Sequence, residues 1–151
     1  MPSPKVLTAP PFIMLYYGAV IFVVQDVWQF ADFFWVDVVG AVVAFGGFFI
    51  IGWSNSMFRA AQTTVNPFKV KETSSMVTGG PFAFSRNPMY LGMVIILLGW
   101  TIFTGTAVGF ALTALFGFFI DRAQIQREEK ALADIFGDEF EAYRQRVRRW
   151  I

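Results

Sequence analysis

From Met89 to Ile120 the chain carries no charged residue, an unbroken run of 32 positions. At 1.5 Å per residue one helix of that length would reach about 48 Å, too long for a bilayer core of about 30 Å. Thr104, Gly105, Thr106 and Gly109 supply turn residues in its middle. The run therefore reads as a helical hairpin, about Pro88–Phe103 and Ala107–Asp121, with short arms whose ends sit at the membrane interface.

The rest of the chain points the same way. Of 151 residues, 56% are hydrophobic, 19% aromatic and only 15% charged, too little charge for the surface of a soluble domain of this size. Pro10–Trp28 is a second candidate span, although Gln25 and Asp26 intrude near its end, and Val38–Phe58 is a third and cleaner one. The expected fold is all-α and integral to the membrane, one domain over 1–151, with about four transmembrane helices and C-terminal amphipathic cytoplasmic helices. Gly40, Gly46, Gly47 and Gly52 would let the span Val38–Phe58 pack closely against a neighbour. Lys5 precedes the first apolar stretch without a clear small-residue cleavage site, so that stretch is expected to be a retained span.

Basic residues orient the spans. All twelve lie at Lys5, in a middle loop holding Arg59, Lys69, Lys71 and Arg86, or in the tail from Arg122 to Arg149. An even number of spans puts both termini and that loop on the cytoplasmic side, so parity and charge agree. The loop's aromatics, Phe68, Phe82 and Phe84, predict an ordered segment at the interface. In the tail, Ile125, Leu132, Ile135 and Phe136 are helically spaced, Gly137 breaks the pattern, and Asp138 with Glu141 resembles a capping box. Phe140, Tyr143, Val147 and Trp150 then form one stripe opposite Arg144, Arg146, Arg148 and Arg149, which predicts an amphipathic helix against anionic headgroups over the last ten residues.

Absences exclude chemistry. Without His or Cys there is no imidazole base, no Ser-His-Asp triad, no thiolate zinc site and no cysteine nucleophile; no metal site and no nucleic-acid partner are expected. Two polar segments remain, Gly79–Gly92 and Glu128–Trp150. Asn87-Pro88 is a helix start, with Asn a good N-cap and Pro suited to the first helical position. The free N–H groups there, with Arg86 alongside, make an anion-binding corner. Glu128 and Glu129 are adjacent carboxylates whose plain reading is a solvated helix start. Together the two features could grip a zwitterion such as an amino-acid-like ligand.

The blocks T-T-V-N-P, then V-T-G-G-P-F-x-F-S-R-N-P-M-Y-L-G, then E-E-x-x-L-x-x-x-F-G-x-x-F-x-x-Y-x-x-x-V-R-R-W resemble the isoprenylcysteine carboxyl methyltransferase and phospholipid methyltransferase superfamily from about Thr63 onward. The family motif R-H-P-x-Y-x-G falls on Arg86, Asn87, Pro88, Tyr90 and Gly92, with Asn87 where isoprenylcysteine enzymes carry His. N-P-M-Y looks instead like the phospholipid N-methyltransferase branch. The family Arg before the Glu pair corresponds to Arg122 or Arg127.

The resemblance implies a membrane methyltransferase dependent on S-adenosylmethionine. It places Arg86, Glu128 and Glu129 as catalytic residues, and Arg86, Asn87, Tyr90, Gly92, Glu128 and Glu129 around the cofactor. Glu128 or Glu129 would bind the cofactor's ammonium or take a proton from an amine. Tyr90, Phe82 and Phe84 are candidates for cation–π contact with the sulfonium, the two Phe equally for interfacial anchoring. The acceptor is a lipid or lipid-like or small membrane-accessible molecule: a phospholipid amine, a thiol, an isoprenoid acid or a quinone-like lipid. The rival reading is a catalytically degenerate member serving as a subunit of a larger membrane complex.

Overall fold

The computed structural model describes residues 9–30, 33–61 and 75–151, and every regular element among them is helical. The T-T-V-N-P block, Phe68, Lys5, Lys69 and Lys71 lie outside the described residues. The helices are α1 (Pro10–Val23), α2 (Phe34–Ala60), α3 (Pro88–Phe103), α4 (Ala107–Ile120), α5 (Gln126–Phe136) and α6 (Asp138–Arg146). A short 3-10 turn, Gly80–Ala83, precedes α3, and a π-helical turn, Asp121–Ile125, carries α4 into α5 without a break. Two continuous helices, Phe34–Ala60 and Ala107–Phe136, are long and apolar enough to cross a membrane, while Pro10–Val23 and Pro88–Phe103 are shorter apolar helices.

The tightest packing joins α2 to α3, where glycines on both helices interlock. A Cβ at Gly99 would stand 2.4 Å from the Ala44 nitrogen, and one at Gly47 would stand 2.5 Å from the Gly92 carbonyl oxygen. Gly40 faces Phe103 while Gly47 faces Gly92 and Ile96, so the two helices run antiparallel. Small residues permit this close backbone approach, which lipid alone would not drive. The expectation of four packing glycines on α2 divides: Gly40 and Gly47 are buried against α3, whereas nothing lies within 4 Å of a Cβ at Gly46 or Gly52. With 3.6 residues per turn, positions 40 and 47 share a face that 46 and 52 do not.

On its other sides α3 meets α1 and α4 around a core of Ile21, Met93, Leu97, Phe116, Ile120 and Ile125. Polar ties cross these faces: the Trp100 indole donates to the Gly18 carbonyl at 3.1 Å, and Thr101 and Thr113 share a buried hydroxyl–hydroxyl bond at 3.1 Å. At the far end of the bundle the turn after α3 passes through Gly105 at φ 62°, left-handed backbone that suits glycine. Its Gly105 carbonyl accepts from the Phe30 N–H at 2.8 Å, and the Ala107 N–H donates to Trp28 at 3.0 Å. That stitching corrects the expected first span. The helix stops at Val23 rather than Trp28, because the following residues turn to meet the 104–107 segment.

Two tail expectations are also corrected. Gly137, at φ 51°, occupies the cap position between α5 and α6, so Asp138 is already the first helical residue and makes no side-chain cap. The helix ends at Arg146, and Val147 is extended at φ −122°, ψ 131°. Val147 and Trp150 are therefore not on the helical stripe of Phe140 and Tyr143. The last residues do not form an interfacial helix, because the loop before α3 captures their main chain.

Candidate functional site

The loop 84–87 and the segment 144–150 meet edge to edge. The Arg86 N–H donates to the Arg148 carbonyl at 3.0 Å, and the Ser85 hydroxyl donates to the Arg149 carbonyl at 3.3 Å. Asn87 occupies the N-cap position of α3, with Pro88 at the first helical position, but its side chain makes no cap. Its Nδ2 donates to the Arg149 carbonyl instead, at 3.2 Å. The expectation that Asn87 caps the helix is thus corrected in its chemistry: the amide points across to the C-terminal segment, and the Asn87 N–H is itself held by Ser85 Oγ at 3.1 Å. Beneath, the Tyr143 hydroxyl donates to the Phe82 carbonyl at 2.7 Å, and burial pushes the Tyr143 phenol up to about 12.

Arg86 reaches from this junction to α5. Its Nε and Nη2 donate to Glu129 Oε1 at 3.1 and 2.8 Å. Its Nη1 donates to the carbonyls of Val147 at 2.6 Å and Arg144 at 3.2 Å. A guanidinium has five N–H donors, and these four bonds leave little for a ligand. Arg149 grips the same carboxylate from the other side, Nη2 to Oε2 at 2.5 Å, and extends through Nη1 to Asp121 at 3.2 Å. The bonds and charge of Glu129 hold the Arg149 guanidinium above its ordinary value. Glu129 is thus clamped between two arginines, and charge-assisted bonds of this kind fix geometry as well as adding energy.

Glu128, one residue earlier, has different company. Tyr90 Oη and Gln124 Nε2 both donate to its Oε1, at 2.6 and 2.7 Å. Adjacent residues on a helix point about 100° apart, so the pair whose plain reading was a solvated helix start diverges into one ionic and one neutral setting. Gly92 belongs to neither: a Cβ there would stand 2.8 Å from the Gly47 carbonyl oxygen, so helix packing explains it. Phe82 is buried and packs its ring edge-on to Phe58 at 5.1 Å, whereas Phe84 is 73% exposed, as an interfacial anchor would be.

A cleft of about 780 Å³ opens between α3 and α4 beside this network, lined at one end by Arg86, Asp121, Arg122, Arg149 and Trp150. Arg122 lies on it, its guanidinium 5.1 Å over the Phe118 ring; Arg127 is exposed and does not line it. Sequence reasoning missed Arg149, Asp121, Gln124 and Tyr143. Arg149 was visible only as one of four basic residues on an amphipathic helix expected against anionic headgroups, and Gln124 carries no signal until Glu128 is seen beside it. Among the described residues no cluster of acidic side chains could hold a metal.

Comparison with known proteins follows the same lines. The phospholipid methyltransferase family pattern matches residues 35–139. A protein-S-isoprenylcysteine O-methyltransferase from Schizosaccharomyces pombe is 32% identical over 106 residues, covering 67% of this chain and 45% of that protein. A methanethiol S-methyltransferase from Bradyrhizobium diazoefficiens is 32% identical over 114 residues, 74% of this chain and 38% of that protein. The chain thus spans less than half the length of these two relatives. An uncharacterised protein of Haemophilus influenzae is 43% identical over 63 residues, 42% of this chain and all of that protein. No solved structure matches. With the match running from early α2 into α6, and with the Arg86 and Glu128–Glu129 blocks inside it, the chain belongs to the phospholipid methyltransferase family, within the superfamily that includes isoprenylcysteine methyltransferases.

Proposed function

We propose that the protein is an S-adenosylmethionine-dependent methyltransferase working at the cytoplasmic face of a membrane, on a lipid-like or small membrane-accessible acceptor. One observation carries this reading: of two adjacent carboxylates, Glu129 is neutralised by Arg86 and Arg149, while Glu128 is met only by neutral donors among the described residues, both on Oε1. A carboxylate with neutral partners and a second oxygen to offer suits an ammonium, so the donor set fits the amino-acid end of the cofactor. Glu128, oriented by Tyr90 and Gln124, would hold that ammonium. The first-turn N–H groups of α3, which have no partners within their own helix, would face its carboxylate. When bound, the sulfonium supplies an activated methyl and its own leaving group, so the chain needs no metal or thiol of its own. Arg86, Glu129, Asn87 and Arg149 then act as scaffold, fixing the 144–150 segment against α3 so that Glu128 and Tyr90 are held in place.

For the membrane setting we read four crossings, α1 to α4. The antiparallel α2–α3 register and the 104–107 turn are compatible with an up-and-down bundle. Arg59, Arg86 and Arg122 fall at one end of it, and exposed Trp28, Phe33, Phe34 and Trp35 fall at the other, a distribution that supports the cytoplasmic side for the basic end. α1 and α3 span only about 21–24 Å at 1.5 Å per residue, a length that tilted neighbours and a locally thinned bilayer accommodate.

Calorimetry with S-adenosylmethionine on the purified protein in detergent tests the reading. Wild type is expected to bind, and Glu128→Gln to bind roughly one to two decades more weakly, since a charge-assisted bond is worth about 1.5–3 kcal/mol. Equal binding by both would remove Glu128 from the cofactor site, and no binding by wild type would support an accessory role in a larger membrane complex instead.

A further inference from the structure

The cleft between α3 and α4 has two chemistries. Its flank is Val94, Leu98, Phe110, Ala114, Gly117 and Phe118, apolar apart from Thr113, whose hydroxyl is taken by Thr101; its mouth is charged. The mouth and the carboxylate behind it combine three guanidinium groups, on Arg86, Arg122 and Arg149, with two carboxylates, on Asp121 and Glu129. Arg86 and Arg149 share Glu129, and Arg149 also takes Asp121 at 3.2 Å, whereas Arg122 comes no closer than 3.8 Å to Asp121 and has 64% of its side chain exposed. One positive charge is therefore left over, on a guanidinium stacked above Phe118 at the rim of an apolar groove. Glu128, Tyr90 and Gln124 do not line this groove, so it is separate from the carboxylate assigned to the cofactor.

We infer that this groove binds a membrane lipid with an anionic phosphate headgroup, the phosphate paired with Arg122 and an acyl chain lying along the apolar flank. Arginine suits phosphate because its planar fork can donate two parallel bonds. The charge complementarity is local: a zwitterionic headgroup brings a cation of its own toward Arg122 and Arg149, and an anionic one does not. Gly117 gives the flank its depth, since a Cβ there would meet only Val94 Cγ2, at 3.7 Å. Larger side chains can enter the groove from that position without moving the backbone. The inference rests on the proposed membrane setting and not on methyl transfer.

Native mass spectrometry of the detergent-purified protein, titrated separately with phosphatidylglycerol and phosphatidylcholine, tests it. Wild type should retain one phosphatidylglycerol about tenfold more tightly than phosphatidylcholine, the worth of one charge-assisted pair. Arg122→Gln should abolish that preference, Arg127→Gln should keep it, and Gly117→Leu should expel both lipids. Ala114→Leu, on the same flank, replaces Gly117→Leu should that variant not fold. Equal losses in Arg122→Gln and Arg127→Gln would reduce the effect to diffuse surface attraction and overturn the inference, as would equally tight binding of glycerol phosphate, which lacks the chain. Calorimetry with S-adenosylmethionine on the same variants separates the two readings. Loss of cofactor affinity with lipid binding unchanged would give the groove to the cofactor; lipid selectivity in a wild type that binds no cofactor would leave the lipid site standing and remove the methyltransferase.

Discussion

Glu128 and Glu129 face substitution by glutamine in opposite ways. Glu129→Gln leaves Arg86 and Arg149 facing each other without their shared anion, so thermal stability in detergent should fall by about 1.5–3 kcal/mol. Glu128→Gln keeps neutral partners around a neutral side chain, and its melting temperature should stay close to wild type while cofactor affinity drops. A melting temperature lowered equally by the two would mean that Glu128 is structural. Asn87 gives a second contrast, because its amide donates to the Arg149 carbonyl. Asn87→Ser, a good cap but too short to reach, should lose about 1 kcal/mol, the net worth of one hydrogen bond. Asn87→Asp should lose more, since a carboxylate facing a carbonyl cannot donate. If Asn87→Asp melts like wild type, capping outweighs the tether.

Among the helices, α2 and α3 supply the sharpest test. Gly99→Ala places a methyl 2.4 Å from the Ala44 backbone nitrogen, and overpacking of this kind costs about 1–3 kcal/mol. Gly46→Ala meets nothing within 4 Å and should be neutral or stabilising by up to about 1 kcal/mol, the helix preference of Ala over Gly. Similar melting temperatures for the two variants would contradict the interlock. The same helices show what a sequence can reveal. The bounds of α3 and the start of α4 were legible because an absence of charge and a Thr-Gly-Thr cluster are local signals, whereas the continuation of α4 through the π-helical turn into α5 was not. Which α2 glycines touch α3 depends on helix rotation and was not legible. Val147 and Trp150 fitted a helical spacing, yet the helix ends at Arg146, where residues 40 or more positions away take the carbonyls of the following segment. Arg86, Tyr90 and the Glu pair stood out by motif, but the split of the Glu pair into ionic and neutral settings needed the rotation of α5 relative to α3.

For the whole molecule, the proposed orientation predicts that single cysteines at Ser3, Ser74 and Gln145 in intact cells resist an impermeant reagent added outside, while one at Trp28 reacts. Labelling at Ser74 and protection at Trp28 would invert the arrangement. Within that arrangement the C-terminal segment is fastened in an unusual manner: the carbonyls of Arg144, Val147, Arg148 and Arg149 are all acceptors for groups on residues 85–87. A carbonyl is present whatever side chain its residue carries. Positions 144, 147 and 148 can therefore drift in identity without loosening the junction, whereas adding or removing one residue between Gly137 and Arg144 would shift every acceptor out of register at once. The segment is recognised by its count and not by its spelling, and Arg149, read through both its backbone and its guanidinium, is the letter that must also be right.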